Sequence, residues 1–150
     1  MRYTTIVVER RTEVVMAKRI LVVDDDAGIR AAIKLRLERD GLLVQMAADG
    51  DEALQRIADE RPDLIILDLT LPRRDGLEVL AQLQESADTA TIPVVILTAR
   101  YRSRDECPRP LSPAIEVIGK PFSPRYLAER VRALLSGKTP TELGTPTPAG

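Results

Sequence analysis

Leu64-Ile65-Ile66-Leu67-Asp68, running on into Leu69-Thr70-Leu71-Pro72-Arg73-Arg74-Asp75-Gly76, is the stretch on which the fold turns. Four consecutive apolar residues, two of them β-branched, predict a strand buried on both faces. A carboxylate follows at once, and Pro-x-x-Asp-Gly then breaks the chain into a turn. An acid at the mouth of a buried strand is costly unless something there favours a negative charge. Three further stretches repeat the pattern: Ile20–Val23 ends in Asp24-Asp25-Asp26, Val94–Leu97 in Thr98-Ala99, and Ile115–Ile118 in Gly119-Lys120-Pro121-Phe122. Open parallel sheets bind ligands beyond the carboxyl ends of their strands. The four polar termini are therefore expected on one rim, around Asp68.

Between these strands the sequence spells helices. Asp26-Ala27-Gly28 leads into a helix from about Ala27 to Arg39, with Ile29, Ala32, Ile33 and Leu37 at helical spacing, and Asp40-Gly41 stops it. Leu42 to Ala47 returns as a strand. Asp49 suits the N-cap of a second helix whose inner face carries Ala53, Leu54, Ile57 and Ala58, ended by Arg61-Pro62-Asp63. Gly76 to Gln84 is a third helix, and Ser86 to Ile92 a polar loop. The last helix follows Ser123-Pro124, buries Leu127, Val131, Leu134 and Leu135, and closes at Gly137. This alternation predicts an α/β fold, a doubly wound five-stranded parallel sheet with right-handed crossovers and flavodoxin-like strand order 2-1-3-4-5.

Composition narrows the function. At 150 residues the chain fits one domain with a real core, and its 44% apolar and 30% charged residues are those of a soluble globular protein. Lys plus Arg (22) nearly balances Asp plus Glu (23), so no excess of positive charge seeks nucleic acid, and no direct DNA binding is expected. No apolar run approaches the roughly 20 residues of a membrane span, and Arg2, Glu9, Arg10 and Arg11 interrupt any signal-peptide core, so a cytoplasmic location is expected. Cys107 stands alone and offers no internal disulfide. The sequence has no histidine, which excludes a Ser-His-Asp triad and His-based zinc sites. Any phosphohistidine would belong to a partner.

An acidic pair after the first sheet strand, Asp after the third, Thr after the fourth and Lys-Pro after the fifth together resemble the receiver domain of two-component response regulators. The resemblance runs from Lys18 to Ser136. It implies that Asp68 is the phosphoacceptor, with Mg²⁺ as cofactor held by Asp25 and Asp68, by Asp24 through water, and by the backbone carbonyl of Thr70. It also implies that Thr98, the N–H of Ala99 and Lys120 bind the transferred phosphoryl group, and that the Lys120-Pro121 bond is cis. Elementary electrostatics agrees: clustered carboxylates raise one another's pKa, and a hard divalent cation with oxygen ligands relieves the repulsion. The implied function is a phosphoacceptor in a two-component phosphorelay, served by a sensor histidine kinase or histidine phosphotransfer protein, with output by protein contact. It is not an enzyme beyond catalysing its own phosphoryl transfer and slow autodephosphorylation. A phosphatase using Asp68 would need a second Asp two residues on, and that position is Thr70.

Three regions depart from the family. A helix expected around Arg102 to Leu111 meets Pro108 and Pro110, with Pro113 just after, so it is expected to be shortened near Cys107 or irregular; one interior proline costs about 3 kcal/mol. Arg100, Arg102, Arg104 and Arg109 make this segment locally basic, read either as a solvated loop or as an altered partner surface. The position three before Lys120, usually a Tyr or Phe that rotates on activation, is Val117. This favours an alternative, an atypical receiver acting as a phosphorylation-independent protein-binding module. Residues 1–16 read as a leader, either disordered or an added strand or partner contact, ahead of a receiver domain over 17–136. Residues 137–150 form a Pro/Thr/Gly-rich tail too poor in apolar residues to fold. No second domain is expected, and hence no attached DNA-binding output module.

Overall fold

The computed structural model of the chain describes residues 3–8, 11–107 and 111–140. Pro108, Arg109, Pro110 and the tail from 141 onward lie outside the described residues, as do Arg2, Glu9 and Arg10. At the start, backbone strands β1 (Tyr3–Val8) and β2 (Arg11–Met16) pair antiparallel with Tyr3 opposite Met16. The main sheet follows: β3 (Arg19–Val23), β4 (Leu43–Ala47), β5 (Leu64–Leu67), β6 (Val94–Thr98) and β7 (Ile115–Gly119). All its pairings are parallel and its spatial order is β4-β3-β5-β6-β7, the predicted 2-1-3-4-5.

The run Leu64–Leu67 is apolar throughout because β5 lies mid-sheet and is covered on both sides. Ile65 and Leu67 face one core with Leu21, Val23 and Ile96, under Ala53, Ile57, Val79, Leu80 and Leu83 from α2 (Gly50–Asp59) and α3 (Gly76–Glu85). Leu64 and Ile66 face the other with Ile20, Val22, Val95 and Leu97, under Ile33 and Leu37 of α1 (Ala27–Glu38) and Leu127, Val131 and Leu134 of α4 (Pro124–Leu135). Each such fully buried aliphatic side chain contributes about 1.5–3 kcal/mol. At the carboxyl ends of the strands the chain turns through Asp24, Asp68, Thr98 and Lys120, and the rim forms there.

Helix starts fall where the short polar residues stand. Asp26, Asp49, Asp75 and Ser123 are N-caps whose side chains accept from backbone N–H groups of the first turn. Gly41, at φ 86°, takes the left-handed turn that ends α1. Among the described residues between β6 and β7, the helix expected there is a single 3₁₀ turn, Arg104–Glu106, capped by Cys107. Arg104 anchors the segment that enters β7: its guanidinium donates to the carbonyls of Leu111, Ser112 and Ile115. The basic cluster read as facing solvent is thus partly turned inward, Arg104 serving backbone carbonyls at the entry to an edge strand.

Candidate functional site

The loop after β3 is fixed at every polar group of its first residue. The Asp24 N–H donates to the Ala47 carbonyl at 3.1 Å, Asp24 Oδ1 accepts from Asp26 N–H at 2.9 Å, and Oδ2 accepts from Lys120 Nζ at 2.7 Å. Arg30, in the first turn of α1, donates to the Asp24 carbonyl at 2.7 Å. Asp25 is exposed on the same loop. Asp68 extends β5 by one residue and its N–H donates to the Val23 carbonyl at 2.9 Å, which locks it beside Asp24. Carboxylate oxygens of Asp24, Asp25 and Asp68 lie within 4.8 Å of one another.

The turn after Asp68 is drawn tight. Gly76 N–H donates to Leu69 O at 2.9 Å, and a Cβ on Gly76 would stand 2.5 Å from the Asp68 carbonyl oxygen. Only glycine permits this approach, which explains the Asp-Gly pair. Arg73 within the same turn adopts φ 67°.

Asp68 Oδ1 accepts from Thr70 N–H at 3.1 Å, and Oδ2 lies 3.2 Å from Lys120 Nζ. Burial of Asp68 raises its pKa above the usual value; the Thr70 N–H and the Lys120 charge oppose this, and Asp24 adds to it. Burial pulls Lys120 down, but its hydrogen bonds to Asp24 and Asp68 and their charges reverse this and leave it raised. The ammonium therefore stays charged beside the carboxylates. Lys120 is brought there by β7, with its N–H donating to Thr98 O at 2.8 Å, and the Lys120-Pro121 bond is cis.

Thr98 ends β6 fully buried, and its Oγ1 accepts from Arg100 N–H at 3.1 Å, while Ala99 is exposed beside it. Arg100 reaches back across the rim to Thr70 Oγ1 at 3.4 Å and to the Asp75 carboxylate at 3.6 Å. Val117 is apart from the rim, in the apolar core with Tyr101 and Leu111 packed nearby. Sequence reading missed two features. Arg30 was signalled by a cation in the first turn of a helix, where the macrodipole disfavours it. The buried ion pair of Glu116 on β7 with Arg130 on α4 was signalled by a lone charge inside an apolar strand. Burial raises the Glu116 pKa, opposed by Arg130 and Arg104.

The donor set fits a hard divalent cation: three carboxylates converge with oxygen atoms only, one of them exposed and free to coordinate. An acidic pocket with one lysine, on the carboxyl rim of a flavodoxin-like sheet, defines the class. The response regulator receiver domain model matches residues 20–132, and the chain belongs to that family, whose domains act in two-component systems. Response regulator MprA of Mycolicibacterium vanbaalenii is 42% identical over 127 residues, covering 85% of this chain and 54% of that protein. MprA of Mycobacterium tuberculosis is 41% identical with the same coverage. The chain thus spans about half the length of the curated relatives it matches. Among solved structures, TrrA of Thermotoga maritima, a response regulator in complex with Mg²⁺ and BeF, is 35% identical at TM-score 0.67, covering 78% of this chain and 98% of that one. The receiver domain of a histidine kinase from Syntrophus aciditrophicus is 35% identical at TM-score 0.70, covering 87% and 98%. Among the described residues no helix is long and apolar enough to cross a membrane.

Proposed function

We propose that the chain accepts a phosphoryl group on Asp68 from the phosphohistidine of a sensor kinase or phosphotransfer protein. The observation that carries this reading is the convergence of Asp24, Asp25 and Asp68 within 4.8 Å, with Lys120 Nζ 3.2 Å from Asp68 Oδ2. An Asp68 oxygen attacks phosphorus, the P–N bond breaks, and the donor imidazole keeps the electron pair and is reprotonated. Asp25 and Asp68, with Asp24 through water and the Thr70 carbonyl, would hold Mg²⁺, which when bound supplies charge neutralisation to the phosphoryl oxygens. Lys120 places an ammonium against the same oxygens, and the Thr98 hydroxyl and Ala99 N–H give the product hydrogen bonds. The chain's role is signalling rather than turnover: a receiver over 17–136, acting in the cytoplasm by protein contact, without direct DNA binding.

Intact-mass analysis after incubation with Mg²⁺ and a small phosphodonor tests this. One phosphoryl adduct is expected, lost in Asp68→Asn and on chelation of Mg²⁺; no adduct from folded, Mg²⁺-binding protein refutes it. Val117, aliphatic and buried in the core, favours a second reading in which partner binding ignores phosphorylation. Under it, Asp68→Asn leaves output unchanged.

A further inference from the structure

We propose that Arg30 is the positioning residue of the cation site, a refinement that rests on the phosphoacceptor reading. Its guanidinium holds the Asp24 carbonyl at 2.7 Å, and that carbonyl belongs to the rigid peptide plane joining Asp24 to Asp25. Fixing the plane fixes where the Asp25 backbone leaves it. Asp25 thus sits between two held planes: Arg30 fixes the one before it, and Asp24 Oδ1, accepting from Asp26 N–H at 2.9 Å, the one after it. Its carboxylate is exposed and makes no hydrogen bond or ion pair among the described residues, so its direction is inherited from the backbone. Asp24 and Asp68, by contrast, are each held by their own side-chain contacts.

The placement of Arg30 has a cost of its own. It stands near the start of α1, whose partial positive charge disfavours a cation, and the one carboxylate capping that turn, Asp26, is engaged by the Gly28 and Ile29 N–H groups. The Asp24 carbonyl gives the guanidinium a specific partner there. A purely electrostatic role predicts the opposite outcome from a positioning role. As a nearby positive charge, Arg30 would weaken binding of a divalent cation, and its neutralisation would tighten binding. As the clamp on the Asp24–Asp25 plane, its loss weakens binding.

The test is calorimetric titration of the full chain with Mg²⁺ alone, for wild type, Arg30→Gln, Arg30→Lys and Asp25→Asn, with thermal melts in EDTA alongside. Arg30→Gln is expected to weaken Mg²⁺ binding by roughly tenfold, the scale seen when a group that orients a metal ligand is lost. Arg30→Lys, which keeps the charge but not the planar donor, is expected to weaken it too, by a smaller factor. Unchanged or tighter Mg²⁺ binding in Arg30→Gln overturns the proposal. So does a lower melting temperature in EDTA at unaltered Mg²⁺ affinity, the signature of a merely structural contact. If Arg30→Gln fails to fold, Arg30→Lys decides: unchanged affinity there refutes the clamp. Asp25→Asn separates the two layers. If wild type binds no Mg²⁺, or Asp25→Asn binds it as well as wild type, the cation reading itself fails; if Asp25→Asn abolishes binding while Arg30→Gln does not disturb it, only the positioning role falls.

Discussion

Replacing Asp68 by Asn should stabilise the metal-free protein while removing its phosphoacceptor. At an effective dielectric of about 20, the Asp68–Lys120 pair at 3.2 Å attracts by about 5 kcal/mol, and each carboxylate neighbour, lying within 4.8 Å, repels by at least about 3.5 kcal/mol. Asp25 is exposed, so its share is reduced by solvent, and the two repulsions together roughly offset the Lys120 attraction. Burial then decides the sign. Asp68 is only 5% exposed, and desolvation is the largest influence on its pKa. Asn removes that cost, keeps an acceptor for the Thr70 N–H, and leaves Lys120 with Asp24. A gain of about 1–2 kcal/mol is expected, or a melting temperature higher by about 3–6 °C for a chain of this size. The pH dependence follows from the raised pKa. Protonated Asp68 favours the fold, so its contribution is complete below the ordinary value of 3.8 and is lost as pH rises through the folded value. The advantage of Asp68→Asn should therefore be full at neutral pH and vanish below 3.8. Thermal melts in EDTA across this range measure it, with an Mg²⁺ series in which wild type gains more than the variant. A neutral-pH melting temperature below wild type would overturn this expectation, because the Lys120 attraction would then outweigh burial.

Three further outcomes rest on the same contacts. Lys120→Met leaves Asp24 and Asp68 buried without their cation, and urea titration in EDTA at neutral pH should show a loss of about 3 kcal/mol, partly restored by Mg²⁺. Gly76→Ala drives a Cβ to 2.5 Å from the Asp68 carbonyl oxygen; a loss of about 2 kcal/mol by urea titration and slower phosphoryl uptake by intact mass are expected. Glu116→Gln breaks a buried pair with Arg130 and should cost about 3 kcal/mol, whereas Glu116→Leu combined with Arg130→Met should return to within about 1 kcal/mol of wild type by the same titration.

The layers and the rim were legible in the linear pattern alone. Runs such as Leu64–Leu67 can be satisfied only by burial on both faces, Asp26, Asp49 and Ser123 placed three of the helix starts, and parallel topology then sends Asp24, Asp68, Thr98 and Lys120 to one edge. Those are local or periodic signals, written in neighbouring residues. Prolines announced a shortened or irregular helix before β7, but not that Arg104 would gather three carbonyls there, because a long side chain's partners depend on the backbone that happens to pass within its reach. Arg30 on the Asp24 carbonyl, Arg100 across Thr70 and Asp75, and Glu116 against Arg130 likewise emerged only from the packed molecule. Hydrophobic periodicity is short-ranged and survives in a linear reading. Charge pairing is a matter of distance in space, and residues 14 apart in the chain, as Glu116 and Arg130 are, meet only once the strand and the helix have packed.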